Sequence, residues 1–224
     1  MDYTLQFGQV TPYLLYFLGG AWLSLQVAFL AFCGGMVIGL FGAMGKIFGG
    51  PIISRLVNAY VVFLTNTPQL VQIYCVFFGL ADFGLLLPPY QAVLLTMTLN
   101  SGAYLTEIQR AGFLSTRRSE LEAAETLGMS RMQTVWHVIV PHIARVLFPP
   151  LSNYYILVVM ATSMGAIFGL EELTGRALNV NSETFRSIEI FSMTAGFYVI
   201  VTIIATTVLA LTGRYLFRAK MKIF

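Results

Sequence analysis

The sequence predicts an all-α integral membrane protein with five transmembrane helices. Hydrophobic residues make up 57% of the 224-residue chain and charged residues only 10%, where a soluble surface needs roughly 25%. The charges leave five long uncharged runs, at residues 3–45, 56–81, 83–106, 146–170 and 190–213. About 20 apolar residues cross a bilayer's hydrocarbon core, so each run is long enough for one span. The charges are also one-sided. Eleven of the 13 basic residues flank the first connection (Lys46, Arg55), occupy the third (Arg110, Arg117, Arg118, Arg131, Arg145) or end the chain (Arg214, Arg218, Lys220, Lys222). The positive-inside rule then makes these regions cytoplasmic and the N-terminus external. It also accounts for the net charge of +3, so no nucleic-acid partner is implied.

The first run holds a short interfacial segment around Pro12 and one long span. Asp2 stands where a signal peptide has basic residues, and the run far exceeds such a peptide's apolar core, so no cleavable signal is expected. Ala31, Gly35, Gly39 and Ala43 form a small-residue stripe for close helix packing, with a neighbour in this chain or another. Cys33 and Cys75 fall within spans and read as buried small apolar residues.

The second span contains "TNTPQLVQ", residues 65–72. Pro68 removes a backbone donor. The polar Thr65, Asn66, Thr67, Gln69 and Gln72 either rescue carbonyls at a kink or face a solute path. In the third span Asn100, Ser101 and Tyr104 share a face, and Glu107 lies one turn before Arg110, where the pair can neutralise itself. The fourth carries Asn153, Tyr154, Thr162 and Ser163, then Gly165 and Gly169, before an external loop over about residues 171–189. Polar residues of this kind tie helices together or line a path.

Catalytic motifs fail on inspection. Gly45-Lys46 lacks both the upstream glycine and the following Ser or Thr of a phosphate loop. His137 and His142 are not spaced as a helical zinc pair. No enzyme chemistry is expected within this chain.

The segment at about 115–142 is the polar exception. Ser119-Glu120-Leu121-Glu122 fits a capping box and predicts a helix from about Glu120 to Leu127, ended by Gly128. Ser130-Arg131-Met132-Gln133 repeats the box. Met132, Val135, Trp136, Ile139 and Val140 continue it as an amphipathic helix that can lie against the bundle, closed by Pro141.

Glu122-Ala123-Ala124, Gly128 and Val138-Ile139-Val140-Pro141 resemble the EAA signature of ABC importer permease subunits, with valines where Ile and Leu are usual. "TPQLVQIYCVFFGL", "TLNSGAYLTEIQRAGF" and "FPPLSNYYILVV" resemble segments of the polar amino acid branch, over residues 13–217. The resemblance implies the type I importer permease fold, one domain over residues 1–224, with a cytoplasmic coupling helix inserted between helices 3 and 4. It places the chain in a bacterial inner (cytoplasmic) membrane. It also implies a second permease subunit, identical or homologous, an ABC ATPase dimer that binds ATP and Mg, and a periplasmic or extracellular substrate-binding protein. This chain itself is expected to bind no cofactor.

By matching position, Glu122, Ala123, Ala124 and Gly128 are the expected coupling residues, with Glu122 open between capping its helix and touching the ATPase. Expected pathway residues are Thr65, Asn66, Gln72, Asn100, Ser101, Tyr104, Asn153, Thr162 and Ser163. The sequence departs from the branch at Thr65, where an Arg is common, and at Met160-Ala161-Thr162-Ser163, where K-D-T-S is common. An ion-gradient-driven secondary transporter or channel component is the alternative.

Overall fold

Every regular element in the computed structural model, which describes residues 4–217, is helical. Asp2, used above against a signal peptide, and Arg218, Lys220 and Lys222, used to orient the chain, lie outside the described residues. Two 3-10 turns, Phe7–Gln9 and Thr11–Tyr13, lead into α1, Leu14–Phe48. At 35 residues α1 is about 52 Å long and outreaches a hydrocarbon core of about 30 Å. Proline at the first helical position starts both α2, Pro51–Thr65, and α4, Pro89–Phe113, where its missing N–H loses nothing.

The second expected span is broken rather than kinked. α2 and the following α3, Gln69–Tyr74, extended by a π turn over Cys75–Gly79 and a last turn at Leu80–Asp82, meet at 104°. Pro68 is the cause: its ring fixes φ and it has no amide to continue the ladder. By length and composition three helical stretches can cross a membrane, Phe7–Phe48, Arg131–Phe168 and Ser187–Phe217, and the bent pair makes a fourth. α4 is long enough for a fifth at 25 residues. Its hydropathy is lower because Thr96, Asn100, Ser101, Thr106 and Gln109 are buried among the other helices.

α4 is the axis of the bundle, packed along α1 and touched by α2, α3 and α7. A Cβ built on Gly35 would lie 2.6 Å from the Ser101 Cβ, and one on Gly39 2.8 Å from that of Leu105. The small-residue stripe is therefore consumed within this chain. Its contacts rise together along both helices, so α1 and α4 run parallel. Gly35→Val is expected to cost about 1–3 kcal/mol by overpacking, seen as a lower unfolding midpoint in detergent. An unchanged midpoint would contradict this close approach.

After α4 come α5, Arg118–Thr126, and α6, Arg131–Thr134. α6 runs through a π turn at Val135–Ile139 into α7, Val140–Ala161. Pro141 thus does not close the helix, contrary to the sequence expectation. The wide turn relieves the clash its ring would make with the carbonyl four residues back. A 3-10 stretch, Thr162–Phe168, then α8, Leu173–Thr184, and α9, Ser187–Phe217, complete the chain.

α8 lies over the start of α1 and α5 beyond the end of α4, so the two sit at opposite ends of the bundle. The α8 end is tied by Glu172, a fully buried carboxylate. It accepts from Ser24 Oγ of α1 (2.9 Å), Tyr198 OH of α9 (2.8 Å) and the Gly175 amide it caps (2.9 Å). Toward the α5 end, Glu107 takes both Arg110 and Lys46, and Lys46 also reaches Asn58 Oδ1 at 3.0 Å. The expected Glu107–Arg110 pair is therefore part of a tie joining α1, α2 and α4. α1, α2 and α9 expose large apolar side chains such as Phe29, Phe41, Phe63, Ile203 and Val208, an outer surface suited to lipid. Cys33 and Cys75 are free and lie on exposed faces, not in the core as expected, because hydrophobic helices in a bilayer turn apolar residues outward as well as inward.

Candidate functional site

The break between α2 and α3 leaves the last carbonyls of α2 without helical partners, and in hydrocarbon each must find one. Those of Val62, Phe63, Leu64 and Thr65 are supplied by side chains or the cap. Asn66 gives its backbone N–H and Nδ2 to Val62 O (3.2 and 2.8 Å). Thr67 Oγ1 donates to Phe63 O (2.7 Å), and Tyr104 OH to Thr65 O (3.2 Å). Gln72 Nε2 and Asn100 Nδ2 both reach Leu64 O, at 2.8 and 3.1 Å, and Gln72 also donates to Thr67 O at 3.0 Å. Asn100 Nδ2 further donates to Gln72 Oε1 at 3.0 Å. Elbow, α3 and α4 are thus one hydrogen-bonded unit.

Beside the elbow lies a pocket of about 450 Å³. Thr65, Asn66, Thr67, Pro68 and Gln69 form one wall and Met97, Asn100, Ser101 and Tyr104 of α4 a second. Tyr154, Leu157, Val158 and Ala161 of α7 form the third. The Tyr104 and Tyr154 rings stand 5.6 Å apart across it. Among the described residues, no Asp, Glu, Lys, Arg or His lines it.

Five of the sequence-expected pathway residues, Thr65, Asn66, Asn100, Ser101 and Tyr104, meet in this pocket. The other four do not line it. Gln72 is buried behind the elbow, Asn153 faces outward, and Thr162 and Ser163 bond back to Val159 O and Met160 O at 2.8 Å each. Sequence reasoning missed the α7 wall. Its signal was the 3.6-residue recurrence of Tyr154, Leu157, Val158 and Ala161, a face centred about 90° from Asn153.

The polar segment forms the two expected helices about Gly128, with a changed start to the first. α5 begins at Arg118 with Arg117 as its extended N-cap, so Ser119 is inside the helix and its capping box does not form. Glu122 instead accepts from Arg118 Nε at 3.0 Å and is 62% exposed. Ala124 is the one buried residue of α5, and Ala123 is exposed. Gly128 turns the corner at φ +70°, and Met129 N closes the motif on Ala124 O at 3.1 Å. The Ser130–Gln133 capping box does form, at 3.3 and 2.8 Å. The stripe behind it is not packed on the bundle at its outer end: Met132 and Trp136 are 67% and 62% exposed.

Residues 35–220 match the model of the family described as binding-protein-dependent transport system inner membrane component. The chain belongs to that family. Among its relatives is the glutamine transport system permease protein GlnP of Escherichia coli K12, 35% identical over 192 residues, 85% of this chain and 88% of GlnP. The L-cystine transport system permease protein TcyB of Bacillus subtilis is 31% identical over 179 residues, 80% of this chain and 76% of TcyB.

A crystal structure of an amino acid ABC transporter with histidines superposes with a TM-score of 0.87 at 30% identity, covering 95% of this chain and all of that one. The inward-facing MetNI methionine transporter gives 0.74 at 19% identity, over 92% and 98% of the two chains, a likeness of fold. This transport component therefore has the type I ABC importer permease fold. It is a multi-pass protein of the inner membrane.

Proposed function

We propose that this chain is one membrane half of an ATP-driven importer for a polar amino acid with an uncharged side chain. The observation that carries the reading is the elbow pocket, which offers amides, hydroxyls and two aromatic rings but no charged side chain. Such a lining hydrogen-bonds a neutral polar side chain and leaves a charged one uncompensated. Glutamine, the cargo named for the GlnP relative, has such a side chain.

Transport needs the pocket to open alternately to the two faces. A separate ABC ATPase dimer, binding ATP and Mg, supplies that motion through the cleft that receives α5, where Glu122, Ala123, Ala124 and Gly128 couple the subunits. An external binding protein delivers cargo at the α8 end. The positive-inside bias of the connections puts α5 and the C-terminus in the cytoplasm and the N-terminus outside. With Thr65 and Met160 in place of the basic residues common in the branch, the second permease is a homologous chain that contributes the charged contacts for the cargo's α-ammonium and α-carboxylate, groups common to every amino acid. Copurification of one permease species from an active transporter would refute that last point.

The decisive experiment reconstitutes the chain with its second permease, ATPase and binding protein in proteoliposomes. Glutamine-type uptake is expected only with ATP inside. Uptake by this chain alone, driven by an ion gradient, would overturn the reading.

A further inference from the structure

α5 is held to the bundle by little. Among the described residues, the one recorded polar side-chain contact from α5 to another helix is Glu120 Oε2 to His142 Nδ1 of α7, at 3.4 Å. That distance makes an ionic contact when the imidazole carries its proton. Ala124 is the only buried side chain on α5, and the helix otherwise meets the π turn at Val135–Ile139 that leads into α7.

His142 is well placed to pass motion on. α6, the π turn and α7 form one unbroken helical path from Arg131 to Ala161, and Tyr154, twelve residues beyond His142, lies about 18 Å along it. Tyr154 opens the pocket wall that Leu157, Val158 and Ala161 continue. A push on α5 at Glu120 is therefore delivered to the helix that lines the pocket.

We propose that the Glu120–His142 contact is the strut carrying α5 motion to the pocket-lining face of α7, which makes His142 a positioning residue for transport. The proposal rests on the importer reading above. In the reconstituted transporter, Glu120→Ala and His142→Ala are each expected to raise the ATP consumed per cargo molecule by about two- to fivefold, the range a half-exposed pair supports. The ATPase should still copurify with both. Because both changes remove one contact, the double variant should be no worse than either single. His142→Gln, whose amide reaches the same carboxylate, should recover much of the loss. Unchanged ATP-per-cargo ratios, additive losses in the double variant, or no recovery with His142→Gln would each overturn the strut. A wild-type complex without ATP-dependent uptake would instead overturn the importer reading.

Discussion

Gly128→Val is expected to reduce cargo moved per ATP by at least about tenfold while the protein still inserts and the complex still forms. Gly128 holds φ +70° at the corner between α5 and α6, a region costing L-residues roughly 1–2 kcal/mol and β-branched ones more. Nothing lies within 4 Å of a Cβ built there. The penalty is therefore purely one of backbone conformation, with no steric term to confuse it. A chain relieving that strain re-aims α5 relative to α6 and misplaces the element a partner must grip. At 1.36 kcal/mol per factor of ten, this range reaches the predicted loss. Gly128→Asn is the control, since asparagine tolerates the left-handed region and should keep most of the coupling. Measured as ATP hydrolysed against cargo accumulated, equal ratios in the wild type and the valine variant would remove the corner from the mechanism.

Asn100→Leu should lower uptake by about ten- to a hundredfold. Its Nδ2 is shared between Leu64 O and Gln72 Oε1, and the residue is 6% exposed. Leucine takes a donor from two buried acceptors, at about 1–3 kcal/mol for each group left unpaired. Leu64 O keeps the Gln72 amide, so the larger loss falls on Gln72 Oε1, whose side chain is then free to turn and release the elbow. The variant should still unfold cooperatively in detergent, because the α1–α4 packing is untouched. Uptake within twofold of wild type, with unaltered cargo affinity, would mean that the elbow does not depend on this amide.

The spans were legible because apolar run length is set by bilayer thickness, and the small-residue stripe because periodicity survives without coordinates. Ser130 and Gly128 were legible as well. Each is a local rule that no tertiary contact opposes. Ser119 was misread because two nearby positions can begin α5, and the short connection from α4 favours Arg117 as the extended residue. The box then loses its Ser to the helix interior, and Glu122 turns to Arg118. Pro141 misled for a related reason: the rule that proline ends a helix assumes α geometry, and the π turn at Val135–Ile139 removes the clash. The pathway expectation picked polar residue types. It found the elbow and α4 walls, whose polar groups answer carbonyls at the break. It took Asn153 over its neighbour Tyr154 and missed Leu157, Val158 and Ala161, because the α7 wall is defined by facing and not by polarity.

The elbow has one more consequence, for biogenesis. The carbonyls of Val62, Phe63, Leu64, Thr65 and Thr67 at the break are answered from within residues 61–104, so these groups ask nothing of a second subunit before the bend can exist in lipid. In the proposed importer a newly inserted chain can wait in the bilayer as a preformed half-site, and pairing with a second permease becomes the mating of two surfaces without coupled folding of the elbow. The step that limits assembly is then encounter between halves.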